Sequence, residues 1–162
     1  MRFKCSSCDE WHDGVPGFSI NAPLYYYSIN EAERRERCEL TSDTCIVDDE
    51  FFFVRGSLEL PVIGEEDPFI WGLWVSLSRD SYKEYMENFD SPNRVSLGPY
   101  FGWLSASLDI YPETENLRTH VHPRAPGTRP FIELEATDHP LAMEQQYGIT
   151  IDRVAEIYSH YM

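Results

Sequence analysis

Residues 69–78 read FIWGLWVSLS, and this stretch decides the fold of the chain. Its apolar residues occupy both of the faces that alternate along a strand. A half-exposed strand would have one polar face, so the pattern predicts a central strand that is covered on both sides. The run is also far shorter than the roughly 20 apolar residues that a membrane span needs.

Short β-prone runs lie on both sides of this stretch. Before it come TCIVD, FFFVRG and LELPVI within residues 44–63, and Asp48 and Asp49 supply a tight turn between the first two. After it come YFGWLSASL, RTHVH and RPFIELE within residues 100–135. Three consecutive Phe place at least one ring opposite the core, and Arg55 then interrupts an apolar strand. We expect a second layer of structure over that face, with Arg55 paired to a buried carboxylate; the alternative is a site for a partner.

Helical patterns punctuate the chain. Residues 29–40, INEAERRERCEL, have a capping Asn30 and acid-before-base pairs at i,i+4, and predict a surface helix that carries Cys38. In residues 78–90 rings recur at spacings of three and four, which predicts an amphipathic helix that begins near Ser78. Two C-terminal helices follow, the first with Pro140 in its first turn and a cap from Thr137 or Asp138, the second capped by Thr150 with an apolar stripe of Ile151, Val154, Tyr158 and Tyr161.

These elements predict one α+β domain over residues 1–162, with a largely antiparallel sheet, surrounding helices and an N-terminal zinc knuckle. Residues 1–17 form the knuckle and a loop packed on the body, residues 18–162. The N-terminus has no apolar segment of the kind found in secretory signals. We therefore expect a cytoplasmic protein, in a compartment that disfavours disulfides.

Charge limits the possible partners. The chain has 13 basic and 28 acidic side chains, a formal net charge of −15. This field repels phosphate backbones and anionic membranes, so we expect neither nucleic-acid nor membrane binding. A basic protein would be attracted, although an acidic surface also serves solubility alone.

The chemistry that the sequence suggests most clearly is zinc binding. Cys5 and Cys8 have the C-x-x-C spacing that holds one zinc ion from a single turn, and His12 follows four residues later. Cys45 begins a β-prone run and would complete a structural site of Cys5, Cys8, His12 and Cys45. Cys38 is the alternative fourth ligand. A redox pair at a helix start is disfavoured by the Gly and Pro residues that follow, and free thiols remain the other possibility.

A second group of metal-ligating residue types lies in the C-terminal half. His120 and His122 share one strand face, Glu133 and Glu135 share another, and Asp138 and His139 follow. Such a group could activate water in a metal-dependent hydrolase, with His120, His122, Glu135, Asp138 and His139 as catalytic candidates. The spacing matches no specific motif, and exposed polar positions explain the same residues.

Five stretches together resemble the bacterial family Domain of Unknown Function twenty-one ninety-nine (DUF2199): FKCSSCDEWHDGVPGF, SDTCIVDDEFFFVRGSLELPV, FIWGLWVSLS, YFGWLSASL and RPFIELEATDHPLAMEQQYGI. The resemblance includes Cys5, Cys8, His12, Cys45, Arg55-Gly56 and Asp138-His139-Pro140-Leu141. It departs at Asp9, where the family usually has Gly, and at Ser57, where it tends to have Cys. Position 38 is not a cysteine in the family pattern. The resemblance implies a bacterial cytosolic single domain and no activity.

We therefore expect a zinc-stabilised, non-enzymatic interaction module that binds a basic partner, as acidic immunity proteins do. The metal-dependent hydrolase is the alternative.

Overall fold

The computed structural model describes the backbone of residues 2–4 and 11–13, together with residue 15 and residues 17–162. The described residues form ten strands: β1 Arg2–Lys4, β2 Trp11–Asp13, β3 Phe18–Ser19, β4 Cys38–Leu40, β5 Thr44–Val47, β6 Phe51–Leu60, β7 Phe69–Leu77, β8 Tyr100–Leu104, β9 Arg118–His122 and β10 Phe131–Leu134. They also form five α-helices: α1 Leu24–Ser28, α2 Glu31–Arg37, α3 Arg79–Glu87, α4 Pro140–Tyr147 and α5 Ile151–Tyr161. The α+β class is confirmed. None of the described helices is long and apolar enough to cross a membrane.

The strands do not make an open sheet. β6, β7, β8, β9 and β10 pair in that order and β10 returns to β6, so five strands close into a barrel. The first four contacts are antiparallel and the closing contact, Phe131 to Ser57, is parallel. β5 and β4 extend the sheet from β6, β3 adds to β7, and β1 pairs with β2 separately. The prediction of a largely antiparallel sheet is confirmed. The sequence pattern did not predict that the sheet closes into a barrel.

Two glycines permit the close approaches that a barrel needs. A Cβ at Gly56 would lie 2.8 Å from both Ile132 Cγ1 and the Pro130 carbonyl oxygen, at the seam between β6 and β10. A Cβ at Gly102 on β8 would lie 2.3 Å from Val75 Cγ1. Any other residue at either position would push neighbouring strands apart.

β6 and β7 carry apolar side chains on both faces, as the sequence predicts. Even-numbered residues of β6 and odd-numbered residues of β7 fill the barrel core with side chains of α3, α4 and α5. Phe53 of β6 and Trp74 of β7 point to the other face and pack outside the barrel. They form a second cluster with Ile29, Cys45 and Val47. Trp74 Nε1 donates to the Ile20 carbonyl at 2.8 Å, so the chain before α2 covers this face. The second layer is confirmed.

The partner of Arg55 differs from the expectation. Its guanidinium donates to the Ser42 carbonyl at 3.1 Å and lies 5.6 Å from the ring of Trp74. Among the described residues it forms no ion pair with a carboxylate. A buried Arg can be held by backbone carbonyls and an aromatic face instead.

The helix starts agree with the predicted caps at Asn30, Ser78 and Thr150. The predicted cap of α4 is wrong: His139 Nδ1 accepts from Leu141 N at 3.1 Å, and Thr137 accepts from the N–H of His139. The stripe on α5 is partly confirmed, because Val154 is buried but Ile151 is exposed and Ile157 is the second buried side chain. Asp48 and Asp49 form the predicted turn, with φ of 55° and 51° as a tight hairpin turn demands.

Cys38 does not lie on the surface helix. α2 ends at Arg37, and Cys38 begins β4 opposite Val47. Its side chain is half-buried against the second cluster. The hairpin of β4 and β5 overrides the helical pattern at this residue because its extended backbone pairs with β5.

Candidate functional site

The predicted zinc ligands lie mostly outside the described side chains. Cys5 and Cys8 fall outside the described residues, and His12 lies in β2, where the backbone alone is described. The strands that precede and follow residues 5–10 pair, with Phe3 opposite His12 and Lys4 opposite Trp11. Within the described part of the chain, no three His, Cys, Asp or Glu side chains are grouped so that they could hold a metal ion.

Cys45 and Cys38 both have thiols that burial keeps protonated. Cys45 is fully buried, and burial raises its pKa to about 12. Burial also raises the pKa of Cys38, although Arg37 acts in the opposite direction. Both cysteines are free of disulfide bonds. In the described structure, Cys45 is a small apolar core residue in the same cluster as Phe53 and Trp74.

The C-terminal candidates are distributed over several contacts. His122 Nε2 lies 3.0 Å from Glu133 Oε1, on the outer face of the barrel. His120 lies opposite Glu133 in the strand register, and its ring is 6.1 Å from that of Phe101. Glu135 follows β10, where its N–H donates to the Arg118 carbonyl.

His139 and Asp138 lie at the start of α4. His139 Nε2 is 3.0 Å from the Glu113 carbonyl oxygen, and Nδ1 caps the helix. Both ring nitrogens therefore have structural contacts, and Asp138 is exposed beside it. Of these candidates, His122 and Glu133 are in contact, whereas His139 caps α4 and contacts the Glu113 carbonyl.

The outer face of the barrel carries a group of exposed aromatic side chains. Phe101 and Trp103 on β8 are each 40% exposed, and Phe51 at the start of β6 is 39% exposed. Together with Glu50 and Ser76 they line a cleft of about 330 Å³. We call Phe51, Phe101 and Trp103 the aromatic face.

The rings of the aromatic face are held in place by their neighbours. Phe101 and Trp103 pack edge to face, with ring centroids 5.0 Å apart. The Arg118 guanidinium lies 5.4 Å from the ring centroid of Trp103, and Tyr25 packs against Phe51 at 5.0 Å. Trp103 also lies opposite Ser76 of β7, which fixes its strand position. These contacts pre-organise an apolar surface that is open to solvent.

Negative charge borders the aromatic face. Asp48, Asp49 and Glu50 are consecutive, exposed and directly precede Phe51. Arg37 donates to Asp48 through two bonds of 2.9 and 2.8 Å and thereby lowers the pKa of that carboxyl. Glu50 lines the cleft and forms no ion pair with any residue that the structure describes. The cleft thus combines apolar rings with an unneutralised carboxylate.

Sequence reasoning did not single out Phe101 and Trp103. The run YFGWL is apolar at every position, so periodicity cannot tell which residues face out. The structure buries Tyr100, Gly102 and Leu104 and exposes the two residues between them. The one signal in this run is Gly102, between Phe101 and Trp103, because a glycine inside a strand indicates that another strand approaches closely.

Fold and surface together define a class: an α+β domain with a five-stranded barrel that exposes aromatic side chains. The chain belongs to the bacterial family DUF2199, described as an uncharacterised protein conserved in bacteria, whose family model matches residues 4–149. The resemblance that the sequence suggested is confirmed. Comparison with curated proteins and with solved structures gave no match.

Proposed function

We propose that this protein is an interaction module that binds a basic protein partner through the aromatic face. The observation that carries the proposal is the cluster of Phe51, Phe101 and Trp103, three large rings that each stay about 40% exposed beside one cleft. Contiguous exposed apolar surface is uncommon on monomeric proteins and marks interaction sites. Aromatic residues and Arg, here Arg118, dominate the binding energy of many protein interfaces.

Charge favours a basic partner. The net charge of −15 creates an attractive field for cationic proteins, and this steering raises association rates. Glu50, in the cleft, is available to pair with a Lys or Arg of the partner. A single-stranded nucleic acid could stack on the same rings, but its phosphates would meet the repulsive field.

The test compares the wild type with Trp103→Ala and a matched control. Met143→Ala is the control because the exposed fraction of Met143, 44%, is similar to that of Trp103, 40%. Met143 lies on α4, outside the cleft. Proteins captured from the native host by the wild type are identified, purified and measured for affinity with all three forms. Loss of an interface anchor of about 2 kcal/mol weakens binding by about 30-fold.

The proposal predicts a basic partner whose Kd rises by that factor in Trp103→Ala and is unchanged in Met143→Ala. Its association rate should also fall as salt concentration rises. The proposal is refuted if the purified partner binds all three forms equally, or if it is acidic. Concentration-dependent dimerisation that Trp103→Ala abolishes would refute it too, since a second copy would then occupy the face.

We further propose that Cys5, Cys8, His12 and Cys45 hold a structural zinc ion, with Cys38 as the alternative fourth ligand. The support is the C-x-x-C spacing together with the pairing of β1 and β2, the strands that flank the two cysteines in the sequence. Zinc binding at Cys45 would require loss of its proton, against the burial that raises its pKa. The ion would offset that cost by its charge.

Elemental analysis of purified protein tests the zinc site. One zinc per chain, lost in Cys5→Ser and kept in Ser6→Ala, supports it. A comparison of Cys45→Ser with Cys38→Ser then identifies the fourth ligand, because only substitution of the residue that binds zinc lowers the zinc affinity. Metal that survives Cys5→Ser and disappears in His122→Ala would favour the hydrolase alternative instead.

A further inference from the structure

A cavity of about 630 Å³ lies at the seam where β6 and β10 close the barrel. None of its lining residues belongs to the aromatic face; they include Asp43, Tyr85, Phe89, Asp90, Arg94 and Arg129. Its volume falls within the range of about 300–1,000 Å³ that small-molecule sites occupy. Two aromatic rings and two guanidinium groups therefore share one concave space.

The first guanidinium, that of Arg94, is buried without a carboxylate. It is 3% exposed and donates to the carbonyl oxygens of Phe89 at 2.8 Å and of Thr128 at 2.7 Å, and to two further carbonyls in the loop 124–128. It lies 5.3 Å from the ring centroid of Phe89. Backbone dipoles solvate this charge but do not neutralise it, so the cavity wall keeps a formal positive charge.

The second guanidinium, that of Arg129, is only partly engaged. Its Nε donates to Asp43 Oδ1 at 2.9 Å, and its terminal nitrogens have no hydrogen-bond partner among the described residues. Burial tends to raise the pKa of Asp43, but the hydrogen bonds from Arg129 and Ser42 outweigh it, so the pKa is lowered. Asp43 therefore stays ionised and orients Arg129, while the fork of terminal nitrogens is free for a ligand.

A third guanidinium adds positive charge near Asp43. Arg55 is 9% exposed, its backbone N–H donates to the Asp43 carbonyl, and its Nε has no partner among the described residues. Two cations, Arg94 and Arg129, and two carboxylates, Asp43 and Asp90, line the cavity. Arg55 lies outside this lining and helps to lower the pKa of Asp43, so the cavity is close to neutral in a chain whose net charge is −15.

We propose that this cavity binds a small organic anion, a carboxylate or phosphate monoester attached to an aromatic body. The terminal nitrogens of Arg129 match the two oxygens of either group in a bidentate contact. Tyr85 and Phe89 supply the apolar part of the cavity wall against which the body of the ligand would pack. The negative field of the chain disfavours anions over the rest of the surface, and the two guanidinium groups of the cavity offset that field locally.

The test titrates the full chain with benzoate, phenyl phosphate and uncharged benzamide by isothermal calorimetry and ligand-observed NMR. We expect saturable binding of at least one anion, at least tenfold tighter than benzamide; the tighter anion identifies carboxylate or phosphate as the recognised group. Arg129→Gln should weaken anion binding at least tenfold. Arg35→Gln, at an exposed Arg on α2 outside the cavity, should leave it unchanged.

Asp43→Asn provides an effect of opposite sign. It keeps a side-chain oxygen that can accept from Arg129 Nε but removes the negative charge beside the bound anion, so anion binding should tighten. The proposal is overturned if neither anion binds, if benzamide binds as tightly, if Arg129→Gln binds as the wild type does, or if Asp43→Asn weakens binding. Trp103→Ala should bind the anions normally, so failure here is distinguishable from failure of the protein-binding proposal.

Discussion

Arg94→Met removes the buried cation that organises the loop between β9 and β10. Four hydrogen bonds from the guanidinium to backbone carbonyls are lost, to Phe89, Arg124, Ala125 and Thr128. Hydrogen bonds to a charged group contribute about 1.5–3 kcal/mol each, so four set an upper limit of about 6–12 kcal/mol. Met keeps much of the apolar stem and its packing on Phe89.

The expected loss is smaller than that limit. Ala125 and Thr128 are exposed, so water can replace the guanidinium at their carbonyls. Removal of the charge also relieves its desolvation cost. We expect the free energy of unfolding to fall by about 3 kcal/mol, which lowers Tm by about 6–12 °C in a domain of this size.

Urea and thermal unfolding followed by circular dichroism measure this loss. Arg118→Met is the matched control, because Arg118 is exposed and contacts the ring of Trp103 without a hydrogen bond from its side chain to any residue the structure describes. Its cation–π contact contributes about 0.5 kcal/mol. If the two variants lose the same stability, or Arg94→Met loses under about 1 kcal/mol, the guanidinium does not organise the loop as we infer.

Three further predictions follow from single residues. Gly102→Ala should lose about 3 kcal/mol in urea unfolding, because its Cβ would lie 2.4 Å from the Ser76 carbonyl oxygen; Gly127→Ala, with open space around it, should lose about 1 kcal/mol from its φ of 88°. In metal-free protein, iodoacetamide at pH 8 should alkylate Cys38 well before the fully buried Cys45, whose pKa of about 12 leaves a thiolate fraction on the order of 10⁻⁴; equal labelling in peptide maps would contradict this. Asp48 has a pKa lowered by its hydrogen bond from Arg37, so its contribution is present above its unfolded pKa of about 3.9 and lost as pH falls through the folded value. Asp48→Asn should therefore be less stable than the wild type at neutral pH, and the difference should disappear in acid; a constant difference would argue against this ion pair.

Local patterns predicted much of the fold. Asn30, Ser78 and Thr150 each cap the helix that the sequence assigned to them, because a cap depends on residues two or three positions away. The cap of α4 was assigned to the wrong residue. His139 replaces Thr137 or Asp138 there since its other nitrogen contacts the Glu113 carbonyl, a residue distant in sequence.

The candidate sites were less predictable. The zinc ligands were inferred from spacing and stay a prediction. The hydrolase candidates share strand faces, but a shared face does not bring His139 to His122, since the contacts of each depend on different elements. The cavity needs Asp43, Arg94 and Arg129, which are separated by up to 86 positions in the chain, and no spacing links them.

By itself the sequence determined the family, the α+β class, the starts of α2, α3 and α5 and the double-sided burial of β6 and β7, because each depends on side-chain pattern or local chemistry. Tertiary structure alone decided that the sheet closes at Ser57 and Phe131, that Phe101 and Trp103 face solvent and that three arginines gather near Asp43. Pairing between distant strands sets these features, and the periodicity of an entirely apolar run such as YFGWL carries no information about which face such pairing will bury.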